Sequence, residues 1–144
     1  DDGLVKNDHL PDFSENDLYG NLIAPQNYRG KVLLLNFWAT WCPPCLEELP
    51  QLIELQKKYG AQGFQVISVC MDEGLSEEEM RTFLREHKLN FPVIPYVAVS
   101  FEKFGAITAI PLSYLVTKEG KVDQKIQGLQ KSEFWEEAVQ KLLK

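Results

Sequence analysis

LLNFWATWCPPCLEELP, residues 34–50, joins an apolar run to a helical pattern and places two cysteines at the joint. The run starts at Lys31 and reaches Trp38, with Asn36 as its one polar interruption. Continuous apolar stretches of this length suit a central strand covered on both faces. Beyond the joint, Leu46, Leu49, Leu52, Ile53 and Leu55 recur at helical spacing as far as Gly60, predicting a helix over Leu46–Tyr59. If Cys42 caps that helix, Pro43 falls at the first helical position, where its missing N–H costs nothing. Residues three apart on a helix have Cβ atoms about 5–6 Å apart, so Cys42 and Cys45 can bridge after a small adjustment.

Outward from the joint, the pattern continues as strand and helix in turn. FQVISVCM (Phe64–Met71) reads as a second buried strand. Ser76 with Glu79 forms a capping box for a helix whose inner stripe is Met80, Phe83, Leu84 and His87. Val93–Val99 is a short extended segment limited by Pro92 and Pro95, and Phe101–Phe104 reads as a helical turn. PLSYLVTKEGKVDQKIQG gives two strands around Lys118-Glu119-Gly120, and Ser132–Lys144 a last amphipathic helix. Before the joint, FSENDLYGNLIAP (Phe13–Pro25) reads as a small hairpin, and residues 1–12 as a loose lead-in. The order implies one α/β domain over residues 13–144, its first strands parallel and its last hairpin antiparallel.

Composition narrows the function classes. A chain of 144 residues, 44% hydrophobic and 11% aromatic, can bury a substantial core in one domain. A net charge of −6 without a basic stripe argues against nucleic acid as a partner. Apolar runs such as Val32–Leu35 fall far short of the about 20 residues that a membrane helix needs. Beginning at Asp1, the chain is expected to be a processed product whose N-terminal signal or anchor has been removed.

A Cys42–Cys45 disulfide serving only stability would add about 2 kcal/mol for so short a loop, and this core hardly needs it. The location favours chemistry instead. At a helix N-terminus the backbone N–H groups and the macrodipole favour a thiolate. Cys42 would attack a disulfide and Cys45, one turn inside, would resolve the mixed intermediate. A zinc site needs about four ligands, whereas only Cys70 and two distant histidines, His9 and His87, remain; no metal is expected. Leu46 after the second cysteine excludes the c-type haem attachment pattern.

NFWATWCPPC resembles the active-site segment of the thioredoxin superfamily, and its details are similar to the TlpA/ResA-like extracytoplasmic branch. Trp41 precedes the first cysteine, Pro44 the second, and Pro50 follows five residues beyond Cys45. AIPLSYLV (Ala109–Val116) resembles the family's cis-proline loop, with Pro111 as that proline. PDFSENDLYGN and TKEGKV carry the likeness over roughly residues 11–144. The resemblance implies a thioredoxin-like sandwich: a central mixed sheet flanked by helices, with an N-terminal hairpin extension. It implies a thiol–disulfide oxidoreductase that needs no cofactor beyond the Cys42–Cys45 disulfide. Its expected setting is extracytoplasmic, the periplasm or the outer face of the membrane, as a monomer reducing protein disulfides. An apocytochrome c is one such substrate, and a membrane thiol–disulfide protein supplies the electrons. A peroxiredoxin-like peroxidase is a rival reading, but it wants a lone reactive cysteine and Thr at position 38, which is Trp38. A non-catalytic binding module is the second rival.

Supporting roles follow. Glu48 lies three residues beyond Cys45, on the same helix face, where the resemblance places an acid. Buried there, its carboxyl would titrate high and pass a proton to and from Cys45. Glu47 points elsewhere and reads as solvated. Asn36, where ordinary thioredoxins carry aspartate, needs hydrogen-bond partners in the core. Trp38 reads as core and Trp41 as surface packing around the site. Together with Pro43 and Pro44, Trp41 is expected to meet substrate. A cis bond at Pro111, implied by the resemblance, would expose the Ile110 backbone to an incoming strand. Cys70 reads as a small buried hydrophobe.

Overall fold

The computed structural model describes residues 3–144. Eleven elements follow in chain order: β1 (Glu15–Asn16), β2 (Leu22–Ile23), β3 (Val32–Trp38), α1 (Pro43–Tyr59), β4 (Phe64–Cys70), α2 (Glu77–Glu86), β5 (Val93–Pro95), α3 (Ala98–Phe101), β6 (Leu112–Val116), β7 (Val122–Gln127) and α4 (Ser132–Leu143). β1 and β2 make the small antiparallel hairpin. The other five strands form one mixed sheet in the order β5-β4-β3-β6-β7. β3, β4 and β5 run parallel, β6 runs antiparallel to β3, and β7 returns antiparallel to β6. The fold is the thioredoxin-like sandwich that the resemblance implies, within the α/β class that the element order implies.

Strand alternation explains what faces what. In β3, Val32, Leu34 and Trp38 join the core layer that contains Leu49, Leu52 and Leu55 of α1 and Trp135 of α4. Leu33, Leu35 and Phe37 join the opposite layer, with Phe13, Phe101, Phe104 and Tyr114. That second layer is aromatic: Phe37 meets Phe101 and Phe104 edge-on, with ring centroids 5.9 and 5.7 Å apart. By the same parity Asn36 points to the α1 side, with Ser68 of β4 and Ser113 of β6 as its lateral neighbours in register. A polar row therefore crosses the middle of an otherwise apolar layer.

The capping box on α2 forms as its sequence predicts, Ser76 Oγ accepting from Glu79 N–H and Glu79 Oε1 from Ser76 N–H. The expected extended segment near residue 93 is a three-residue strand paired with β4. His87 departs from the expected inner stripe; it is exposed and stacks on Phe83 with centroids 3.8 Å apart.

The lead-in is also different from the expectation. Its described part, residues 3–12, is bound to the β6–β7 hairpin. Asn7 N–H donates to Val122 O, Val122 N–H to Asp8 O, and Leu10 N–H to Gly120 O, at 2.8–2.9 Å. Leu4 and Leu10 are buried in the aromatic layer. Two apolar residues among many polar ones carry too little pattern to announce this. Because Leu10 closes core, Leu10→Ala is expected to lower unfolding free energy by about 2–4 kcal/mol in chemical denaturation. A loose lead-in would give a change within about 0.5 kcal/mol.

Candidate active site

The chain leaves the C-terminal end of β3, the sheet's central strand, and turns directly into α1. Cys42 is the N-cap, and its extended backbone (φ −106°, ψ 102°) is the geometry a cap requires. Cys45 N–H donates to Cys42 Sγ at 3.3 Å, the sulfur taking the place of the usual capping oxygen. Pro43 and Pro44 occupy the first helical positions, where no intrahelical donor is lost. α1 thus begins earlier than its apolar spacing alone indicates, with Cys42 as its cap and Cys45 in its first turn. They are joined as a disulfide, with Cα atoms 5.2 Å apart.

Cys42 is the more accessible of the two, although both are largely covered at 5% and 1% exposure. Across from them the Ile110–Pro111 bond is cis. Ile110 O lies 3.8 Å from Cys42 Sγ. Pro111 is buried and Ile110 half-buried, whereas Pro43 and Pro44 are exposed and Trp41 is 67% exposed. Trp38 belongs to the core, its ring 5.6 Å from that of Phe83. One rim of the site therefore combines an exposed aromatic ring, two exposed prolines and a backbone carbonyl beside the sulfur.

One turn inward from Cys45, Glu48 is 1% exposed while Glu47 is exposed. Glu48 Oε1 accepts from Asn36 Nδ2 at 2.9 Å. Its Oε2 is buried and has no partner. Burial raises the carboxyl pKa from 4.5 to about 7, against the opposing pull of the Asn36 hydrogen bond, which favours the anion. The group can therefore both accept and return a proton near neutrality.

Three polar side chains at or near the site carry no strong signal in the sequence. Ser113 Oγ accepts from Asn36 Nδ2 at 2.9 Å, so one amide nitrogen serves two oxygens. Its place two residues after Pro111, on the same face as Asn36, is legible only once β3 and β6 are paired. Asp72 lies just beyond β4, at the sheet end where open α/β folds place their sites. Its carboxylate accepts from Thr40 N–H at 2.7 Å and from the Thr40 hydroxyl, anchoring the turn that leads to Cys42. Cys70 Sγ donates to the same carboxylate at 3.2 Å. Burial pushes the Cys70 thiol up to about 12, so it stays protonated and chemically quiet. Thr40, Trp41, Met71, Asp72 and Leu75 line an open cleft of about 610 Å³ beside the site.

Known proteins share this architecture. The chain matches the AhpC/TSA family over residues 7–125. It is 36% identical over 132 residues to thiol-disulfide oxidoreductase ResA of Bacillus thuringiensis subsp. konkukian, a match that spans 92% of this chain and 75% of that one. Among solved structures it is similar to a candidate thiol:disulfide interchange protein DsbE from Chlorobium tepidum. That pair has a TM-score of 0.87 and 30% identity, covering 98% and 99% of the two chains. It is also similar to the exposed lipoprotein thioredoxin of Streptococcus pneumoniae, with a TM-score of 0.78 and 26% identity over 92% and 100%.

The raised Glu48 pKa has a sign that can be measured. Below pH 4.5 the carboxyl is protonated in both folded and unfolded chains, and stability is unaffected. Between 4.5 and about 7 the folded chain binds the proton more tightly, so the wild type loses stability as pH rises. The loss should level off near pH 7 at about 3 kcal/mol. Glu48→Gln cannot titrate and should escape it. Denaturation of the oxidised proteins should therefore show Glu48→Gln gaining on the wild type across that window; parallel curves would overturn the assignment.

Proposed function

Because this chain belongs to the AhpC/TSA family and is a thiol–disulfide oxidoreductase similar to ResA, we propose that it reduces disulfides of protein substrates outside the cytoplasm. The observation that carries the reading is the Cys42–Cys45 disulfide at the N-terminus of α1, with the Ile110 carbonyl beside its outer sulfur. Helix dipole and backbone N–H groups favour a thiolate at Cys42. In the reduced protein that thiolate attacks a substrate disulfide. A new S–S bond forms to Cys42, the substrate bond breaks, and the first substrate sulfur leaves as thiolate. Cys45 then gives its proton to Glu48 and attacks Cys42 Sγ. The mixed disulfide breaks, the second substrate sulfur leaves, and the protein is left as the disulfide observed. Two electrons have passed to the substrate, and a membrane thiol–disulfide donor returns them, so the cysteines are the only redox group needed.

The substrate approaches as an extended segment that pairs with the Ile110 backbone at Pro111. Trp41, Pro43 and Pro44 form the exposed rim it crosses. Among the described residues no helix is long and apolar enough to cross a membrane. The similarity to an exposed lipoprotein supports an extracytoplasmic site of action. The resemblance to the TlpA/ResA-like branch makes an apocytochrome c one candidate substrate, in cytochrome c maturation. The peroxidase alternative fits less well, because Trp38 fills the position where it wants threonine and Cys42 is bonded to a close partner.

Two measurements test the reading. Cys45→Ser should accumulate a covalent mixed disulfide with substrate through Cys42, and adding Cys42→Ser should abolish it. Titrated against glutathione, the pair should have a potential nearer the about −270 mV of thioredoxin than the about −120 mV of strong oxidants. A strongly oxidising value would overturn the direction proposed here, and fast consumption of hydrogen peroxide would favour the peroxidase.

A further inference from the structure

Resting on the proton role proposed for Glu48, we infer that Ser113 is a positioning residue for this chemistry. It holds the Asn36 amide so that its N–H faces Glu48 Oε1 and leaves Oε2 as the oxygen that carries the proton.

The geometry starts from register. Asn36 and Ser113 are directly paired across β3 and β6, and both are buried on the face that α1 covers. Asn36 Nδ2 has two hydrogens, and its two acceptors are Glu48 Oε1 and Ser113 Oγ, each at 2.9 Å. The lateral neighbour on the other side, Ser68, is turned away; its hydroxyl donates to Pro92 O at 3.1 Å. Ser113 is therefore the side chain that holds the second amide hydrogen. Without it, one N–H would be left in the core with no acceptor, and any rotation that recovered a partner would weaken the bond to Glu48.

An amide N–H donates more strongly to a carboxylate than to the carbonyl oxygen of the acid, so it favours the anion. Burial works in the opposite direction. Ser113 thus acts on Glu48 through Asn36 by keeping the one donor that favours the anion in place. β3, β4 and β6 present neutral Asn36, Ser68 and Ser113 to this layer, and no charged side chain contributes to the Glu48 titration. In the reduced protein α1 adds two titratable thiols, that of Cys45 one turn before Glu48 and that of its N-cap Cys42.

The test uses the full chain and follows the Glu48 side-chain carboxyl by ¹³C NMR against pH. The pH dependence of insulin disulfide reduction is measured alongside. Ser113→Ala should move the Glu48 midpoint up by about one pH unit, a tenfold gain in proton affinity, and carry the pH–rate profile with it. Ser113→Cys, close in volume but a poorer acceptor, should move both in the same direction by less. Ser113→Thr, which restores the hydroxyl, should leave both at the wild-type position. A midpoint unmoved in Ser113→Ala and Ser113→Cys, or moved equally in Ser113→Thr, would overturn the inference. Glu48→Gln separates the two readings. If it leaves the pH–rate profile unchanged, the proton role of Glu48 falls. If it removes the Glu48 limb while the Ser113 variants leave that limb in place, only the positioning role falls.

Discussion

A hydrogen bond sealed in the core, 2.9 Å from Asn36 Nδ2 to Glu48 Oε1, joins the central strand to the helix that bears both cysteines. It constrains the structure because neither partner has water to fall back on; Asn36 is 0% and Glu48 1% exposed. Losing one partner would leave the other's polar atoms buried and unpaired, at about 1–3 kcal/mol or more for a charged group. The strand's register follows from this. Sliding β3 by one residue would turn Asn36 into the aromatic layer around Phe101 and Phe104 and bring Phe37 to α1. With the register set, the end of β3 falls where Cys42 can cap the helix. The fold and the chemistry share one contact.

The two faces of the sheet divide the work. The layer opposite α1 is packed with Phe13, Phe37, Phe101, Phe104 and Tyr114, and the N-terminal segment closes it with Leu4 and Leu10. The buried side chains of Asn36, Glu48 and the two cysteines lie outside it, and its interlocking rings resist deformation. The α1 layer admits a polar row because the rigid sheet behind it fixes where each polar atom lies. At the sheet's end, Asp72 ties down Thr40 in the same way, so the turn into Cys42 is held by a carboxylate on the neighbouring strand's extension. Disulfide exchange needs a sulfur presented in line with the bond it attacks, and such supports reduce the freedom that would blur that alignment.

Legibility in the sequence followed the range of the interaction concerned. The strand-to-helix joint, the Cys42 cap and the Ser76 capping box are local, and spacing alone announces them. The three-residue relation of Glu48 to Cys45 puts the two on one helix face, but it took the resemblance to single that acid out from a solvated one. Ser113 was not readable, since its tie to Asn36 spans 77 positions and exists only after β6 is laid antiparallel against β3. Asp72 reaches Thr40 across 32 positions for the same reason. The residues before Phe13 read as loose because main-chain bonds to Val122 and Gly120 leave no trace in side-chain pattern. The cis bond at Pro111 was legible through resemblance, not through Ile110 and its neighbours.

One remaining feature is why an amide, and not a second acid, sits at position 36. A carboxylate there could accept but not donate, so Glu48 would face a like charge in an apolar layer. The two acids would then titrate as a coupled pair, one of them pushed far above neutrality. Such a group would hold its proton through the reaction and could not fill the role proposed for Glu48. With Asn36 the site keeps one buried acid, raised to about 7 by burial and restrained from rising further by a single N–H. That balance suits the proton role proposed for Glu48, taking a proton from a thiol as the disulfide closes and returning it as the disulfide opens. A fully exposed glutamate would fail at the second step, since near pH 7 it would be ionised almost all the time. A fully desolvated one with no donor would fail at the first. The paired placement of a donor on the strand and an acid on the helix satisfies both halves of the cycle.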